Sequence, residues 1–66
     1  MGKITKNEFK IIARKMHEIV SGMNDPEAIG MVSSYDDECI QIRVEGARKT
    51  VSRTFNRQTW KWNDDA

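Results

Sequence analysis

Very little in this sequence can perform covalent chemistry. Cys39 is the only cysteine, so neither an internal disulfide nor a structural zinc site built on two or more thiolates can form, which points to a reducing cytoplasm. His17 is the only histidine, and no carboxylate stands at helical spacing to orient it, so no catalytic role is assigned to it. No apolar run approaches the length of a membrane span or of a signal peptide's hydrophobic region, and no Asn-x-Ser/Thr acceptor occurs. Met1-Gly2 opens like a myristoylation signal, but Lys6 stands where that motif wants Ser or Thr. With 66 residues the chain is expected to form one small domain, residues 1–66, whose core leaves little room for a deep catalytic pocket. No enzymatic activity and no cofactor are therefore expected.

Charge is present in quantity but not in excess. The formal net charge is +1, distributed in blocks: +3 over residues 1–23, −5 over 24–38, +5 over 39–61 and −2 over 62–66. Such separation lets a nearly neutral domain present charged faces. Asp25, Glu27, Asp36, Asp37 and Glu38 lack the Asp-x-Asp-x-Asp-Gly order of an EF-hand loop, so no metal site is assigned to them.

The strongest local signal is an amphipathic helix over about residues 5–23. Thr5-Lys6-Asn7-Glu8 has the form of a capping box, and Ile4 with Phe9 can close a hydrophobic staple around it. Phe9, Ile12, Ala13, Met16, Ile19, Val20 and Met23 recur at the spacing of a core-facing stripe, which leaves Ile11 on the opposite, exposed side. Gly22 suits a left-handed position at the end, and Asn24-Asp25-Pro26 stops the helix between Ser21 and Asn24.

The periodicity then changes to two. Ile40, Ile42 and Val44 alternate with Cys39, Gln41 and Arg43, as in a strand with one buried face, which leaves Cys39 toward solvent or a sheet edge. Gly46-Ala47 fits a two-residue type II′ turn, which would place Glu45 opposite Arg48, Arg43 opposite Thr50 and Ile42 opposite Val51, with Val51 and Phe55 facing inward. Residues 28–33 read as a first strand rather than a helix, because Gly30 and the β-branched and serine residues after it disfavour helix. Trp60-Lys61-Trp62 reads as a short last strand or a packed tail, with both tryptophans on one face.

The expected fold is α+β: an N-terminal amphipathic helix on a small antiparallel sheet of three or four strands spanning about residues 28–62. A curled SH3-like barrel with the helix appended is the alternative architecture. The expected function is that of a non-enzymatic binding protein, a regulator or inhibitor with the profile of phage- or plasmid-type accessory proteins, docking on a larger protein or nucleoprotein complex as a monomer or homodimer. Ile11, Arg43, Arg48, Arg53, Arg57, Trp60, Lys61 and Trp62 are the candidate contact residues. The alternative is a nucleic-acid-binding module in which the basic residues from Arg43 to Lys61 hold phosphates and a tryptophan stacks on a base.

Overall fold

A computed structural model describes residues 2–63; Met1 and the acidic end at Asp64 and Asp65 lie outside the described residues. One helix, α1 (Lys6–Met23), packs on a four-stranded antiparallel sheet of β1 (Ile29–Tyr35), β2 (Cys39–Glu45), β3 (Thr50–Asn56) and β4 (Lys61–Trp62), in the spatial order β1-β2-β3-β4. The topology is a meander with the helix on one face.

The helix starts as its sequence dictates. The Thr5 hydroxyl accepts from the Glu8 amide at 3.2 Å, and the Glu8 carboxylate accepts from the Thr5 amide at 2.9 Å, completing the capping box. Ile4 packs on the core, while Phe9, the other half of the expected staple, turns to solvent. At the far end the left-handed residue is Asn24 (φ 52°) rather than Gly22. Asparagine tolerates that region because its short polar side chain can bond locally.

The buried stripe of the helix is turned from the expected one. Glu8 and Ile12 are buried, Ile11, Lys15, Met16, Ile19, Val20 and Met23 are half-buried, and Phe9 and Ala13 are exposed, a rotation of roughly 50° at 100° per residue. Ile11 therefore packs against the core instead of standing opposite it. The cause is at both flanks of the helix: Glu8 is drawn inward by Arg57, and Lys15 lies over the Trp62 ring, 5.4 Å from its centroid.

On the sheet, Ile40, Ile42, Val44, Phe55 and Trp62 face the helix. Gln41, Arg43 and Glu45 face solvent. Five side chains are wholly buried, Ile12, Ile40, Ile42, Val44 and Phe55, each contributing about 2 kcal/mol. A core of that size leaves the fastening of helix to sheet at its two ends unusually important.

One fastening is at the β2–β3 hairpin. Its register pairs Glu45 with Thr50, Val44 with Val51, Arg43 with Ser52 and Ile42 with Arg53, two residues beyond the expected one. The shift is even, so Val51 and Phe55 still face inward, as period two requires. The loop tip is Ala47-Arg48, closed by the Gly46 amide donating to the Lys49 carbonyl at 2.8 Å, and none of these residues has positive φ. Gly46 is needed for a different reason from the expected type II′ turn. A Cβ there would collide with Asp25 Oδ2, whose carboxylate reaches across from the α1–β1 loop to accept from the Ala47 amide at 2.7 Å. Asp25 also accepts from the Glu27 amide at 2.9 Å, so one carboxylate ties the helix exit to the hairpin.

Gly46→Ala should consequently destabilise by about 1–2 kcal/mol, through displacement of Asp25 rather than backbone strain. In an Asp25→Ala background the same substitution should cost much less. Urea unfolding of the four proteins of this cycle checks the coupling, and strictly additive losses would show that Gly46 and Asp25 do not compete for the same space.

Candidate functional site

The second fastening organises the opposite end of the molecule. Arg57 donates from Nε to Glu8 Oε2 at 2.8 Å and from Nη2 to Glu8 Oε1 at 3.0 Å, a bidentate pair whose side chains are 10% and 6% exposed. Its other donors reach the carbonyls of Gly2 (3.0 Å), Lys3 (3.0 Å) and Asp36 (2.7 Å). All five guanidinium hydrogens are thus used. The Arg57 amide also donates to the Glu38 carbonyl at 2.8 Å. A residue expected to contact a partner is instead the joint between the N-terminal segment, the helix start, the β1–β2 turn and the β3–β4 turn.

That joint sets the charge state of its neighbours. Hydrogen bonds from Arg57 hold the Glu8 carboxyl below the usual carboxylate range, outweighing the opposing effect of burial. Asp36 is held low by the amides of Cys39 and Glu38, each 2.8 Å from its Oδ1.

Arg57 roots the β3–β4 turn, and the turn displays Trp60. Asn56 Oδ1 accepts from the amides of Gln58 (2.8 Å) and Thr59 (3.0 Å), and the Asn56 carbonyl accepts from the Trp60 amide at 2.8 Å. The chain then re-enters the sheet with Lys61 opposite Asn56 and Trp62 opposite Phe55. Reversal in so few residues puts Trp60 in the left-handed region, φ 61°. Its ring meets Phe55 edge-on, with centroids 5.7 Å apart, yet remains 48% exposed. On the open side of the sheet a cleft of about 450 Å³ lies between Cys39, Asn56, Thr59, Lys61 and Asn63.

The two tryptophans therefore divide. Trp62 is core, tilted against Phe55 at 5.1 Å, whereas Trp60 is half exposed and outside the strand, so the shared face expected of a continuous β-strand is absent. Lys61 is exposed beside Trp60. The remaining cations do not assemble with them. Arg43 lies on the open sheet face in a 3.3 Å ion pair with Glu45, and Arg48 is exposed at the hairpin tip. Arg53 pairs with Ile42 on the helix side and donates to the Ser52 carbonyl at 2.7 Å. Arg48 and Lys61 are separated by the length of β3, about 20 Å.

Exposed apolar residues absent from the expected contact set are Phe9, Ile29, Met31 and Tyr35. The available signal was the stretch Ile29 to Tyr35, which contains neither charge nor proline. Among the described residues no three acidic, histidine or cysteine side chains converge as metal ligands, and no helix is long and apolar enough to cross a membrane. The sequence matches no protein-family model, and comparison with curated proteins and with solved structures finds no match.

The Glu8 geometry has a pH consequence. A carboxyl held low in the folded state makes the unfolded chain bind protons first, so its stabilisation is present above the ordinary pKa and is lost as pH falls below about 4.5. Urea midpoints should be flat near neutrality and drop on acidification. Glu8→Gln should lower stability at pH 7 and show a shallower acid decline, with Asp36 supplying part of the remainder. An undiminished acid slope in Glu8→Gln would remove Glu8 from this role.

Proposed function

We propose that the protein is a non-enzymatic binding protein, a small regulator or inhibitor of a larger protein or nucleoprotein complex, and that its contact centres on Trp60 and Lys61 at the β3–β4 turn. Trp60 carries this reading. A tryptophan in the left-handed region costs about 1–2 kcal/mol, and asparagine or glycine would close the same turn with less strain. Its ring is only half used for burial, and tryptophan is among the residues that most often dominate binding energy. The edge-on contact with Phe55, about 0.5–1.5 kcal/mol, offsets part of the strain and orients the ring before a partner arrives. Lys61, the next residue in the chain, is exposed and adds a charged neighbour to the anchor.

The dispersion of the basic residues favours a protein surface over free nucleic acid as the partner. A nucleic-acid module needs cations that track a phosphate backbone and aromatics that stack bases. Arg57 is consumed internally, Arg43 is paired with Glu45, and Arg48 lies a strand length from Trp60.

Trp60→Asn tests the reading because asparagine suits the backbone and lacks the ring. The variant should remain folded, its thermal midpoint lowered by no more than about 10 °C, because strain relief offsets part of the lost ring contact. It should also lose capture of the partner complex from nuclease-treated lysate of the source cells. Unfolding of Trp60→Asn would make the ring a core lid. Submicromolar, steeply salt-dependent binding of DNA or RNA would favour the nucleic-acid module.

A further inference from the structure

Four of the five large apolar side chains exposed among the described residues, Phe9, Ile29, Met31 and Tyr35, border one element, the edge strand β1. Ile29 and Met31 pair with Glu45 and Arg43 and so lie on the open face; Tyr35 pairs with Ile40 and lies on the helix side. Phe9 belongs to the helix flank above β1. It precedes Met16 by seven residues, two turns on the same stripe, and Met16 sits so close over Gly30 that a Cβ there would stand 2.8 Å from its sulfur. The other flank faces β4, where Lys15 covers Trp62.

Edge strands of soluble proteins are normally protected by charge, proline, brevity or a bulge. β1 has seven residues and neither charge nor proline, and its bulge lies between Val32 and Ser34. The stretch Ile29 to Val32 keeps unbroken register with β2, and one row of its backbone groups is unpaired within the sheet.

We infer that β1 is the interface between two copies of this chain, paired antiparallel about a two-fold axis through Met31 to make a continuous eight-stranded sheet. Several observations select a second copy as the occupant. In this register Met31 faces its own equivalent and Ile29 faces Ser33 at the bulge, so the two open-face apolar pairs merge into one patch centred on the axis. Glu27 falls opposite the uncharged Tyr35 of the other copy, and residues 28–35 carry no charge that would select a charged partner. On the helix side the same axis passes near Met16, where the neighbouring Ala13 is small and exposed and allows the two helices to approach. A stable pair needs about 800 Å² from each copy. That is roughly one sixth of this chain's 4890 Å² surface, so the pairing must engage the helix flank carrying Phe9 as well as the edge strand. The pairing leaves Trp60 free at each outer end of the joined sheet and does not depend on the role proposed for it.

The full chain should sediment at twice its monomer mass at concentrations up to roughly 100 μM. Met31→Glu should sediment as a folded monomer, because the new carboxylate meets Arg43 within its own chain but its own equivalent across the axis. Ile29→Lys, which faces Glu45, is the second variant should Met31→Glu fail to fold, and it should also shift the protein to monomer. In a Cys39→Ser background, Met31→Cys should oxidise to a covalent dimer, since equivalent residues at the axis lie within disulfide reach, and Tyr35→Cys should not. A wild-type monomer throughout that range, or a dimer that survives both charge variants and leaves Met31→Cys uncrosslinked, would overturn the inference.

Discussion

The bidentate pair between Glu8 and Arg57 is the interaction on which the rest of this small fold depends. It joins residues 49 positions apart and uses both groups twice over: Glu8 caps the helix while it pairs, and Arg57 collects three backbone carbonyls while it pairs. Buried charges stabilise only when their hydrogen-bonding capacity is filled, since desolvation otherwise outweighs attraction. Here no buried side-chain nitrogen or oxygen among the described residues lacks a partner. The pair draws Glu8 toward the sheet, and the helix phase, the burial of Ile11 and the outward turn of Phe9 follow from that rotation.

A second carboxylate performs the complementary task at the other end. Asp25 binds the β2–β3 hairpin to the helix exit, so the helix is held at both termini by side chains acting across the sheet's ends, with Ile12 and the isoleucines of β2 packed between. The two faces left over differ in character. The open face of β2 is polar, while β1 and the helix flank above it retain apolar side chains. Trp60 stands at the opposite edge, on a turn whose position is fixed by Arg57.

Local and periodic features of the fold were legible from the residues. The capping box involves four consecutive residues, and the alternation of Ile40, Ile42 and Val44 survives any even shift of register. Long-range features were not. Glu8 looks like a surface residue until Arg57 is known to lie beside it, and without that knowledge the apolar stripe alone places Ile11 outside. Gly46 was read as a turn glycine because positive φ is the usual reason for one, whereas its actual constraint is the approach of Asp25. Among the candidate contacts, Trp60 on the β3–β4 turn and Lys61 at the start of β4 stay exposed, while Trp62 and Arg57 are absorbed into the core and its fastening. Composition cannot separate these cases, since an arginine that binds a partner and one that binds its own chain are the same residue type.

The equilibrium stability of Arg57→Lys tests the dependence on this pair most directly. Lysine keeps the charge but offers a single rotating ammonium in place of the planar fork, and it cannot serve Glu8 and three carbonyls together. The expected result is a large fall in the urea midpoint at pH 7, with tryptophan fluorescence and the helical circular dichroism changing in one transition. A midpoint equal to that of the wild-type chain would contradict it, and would return Arg57 to the surface residues available for a partner.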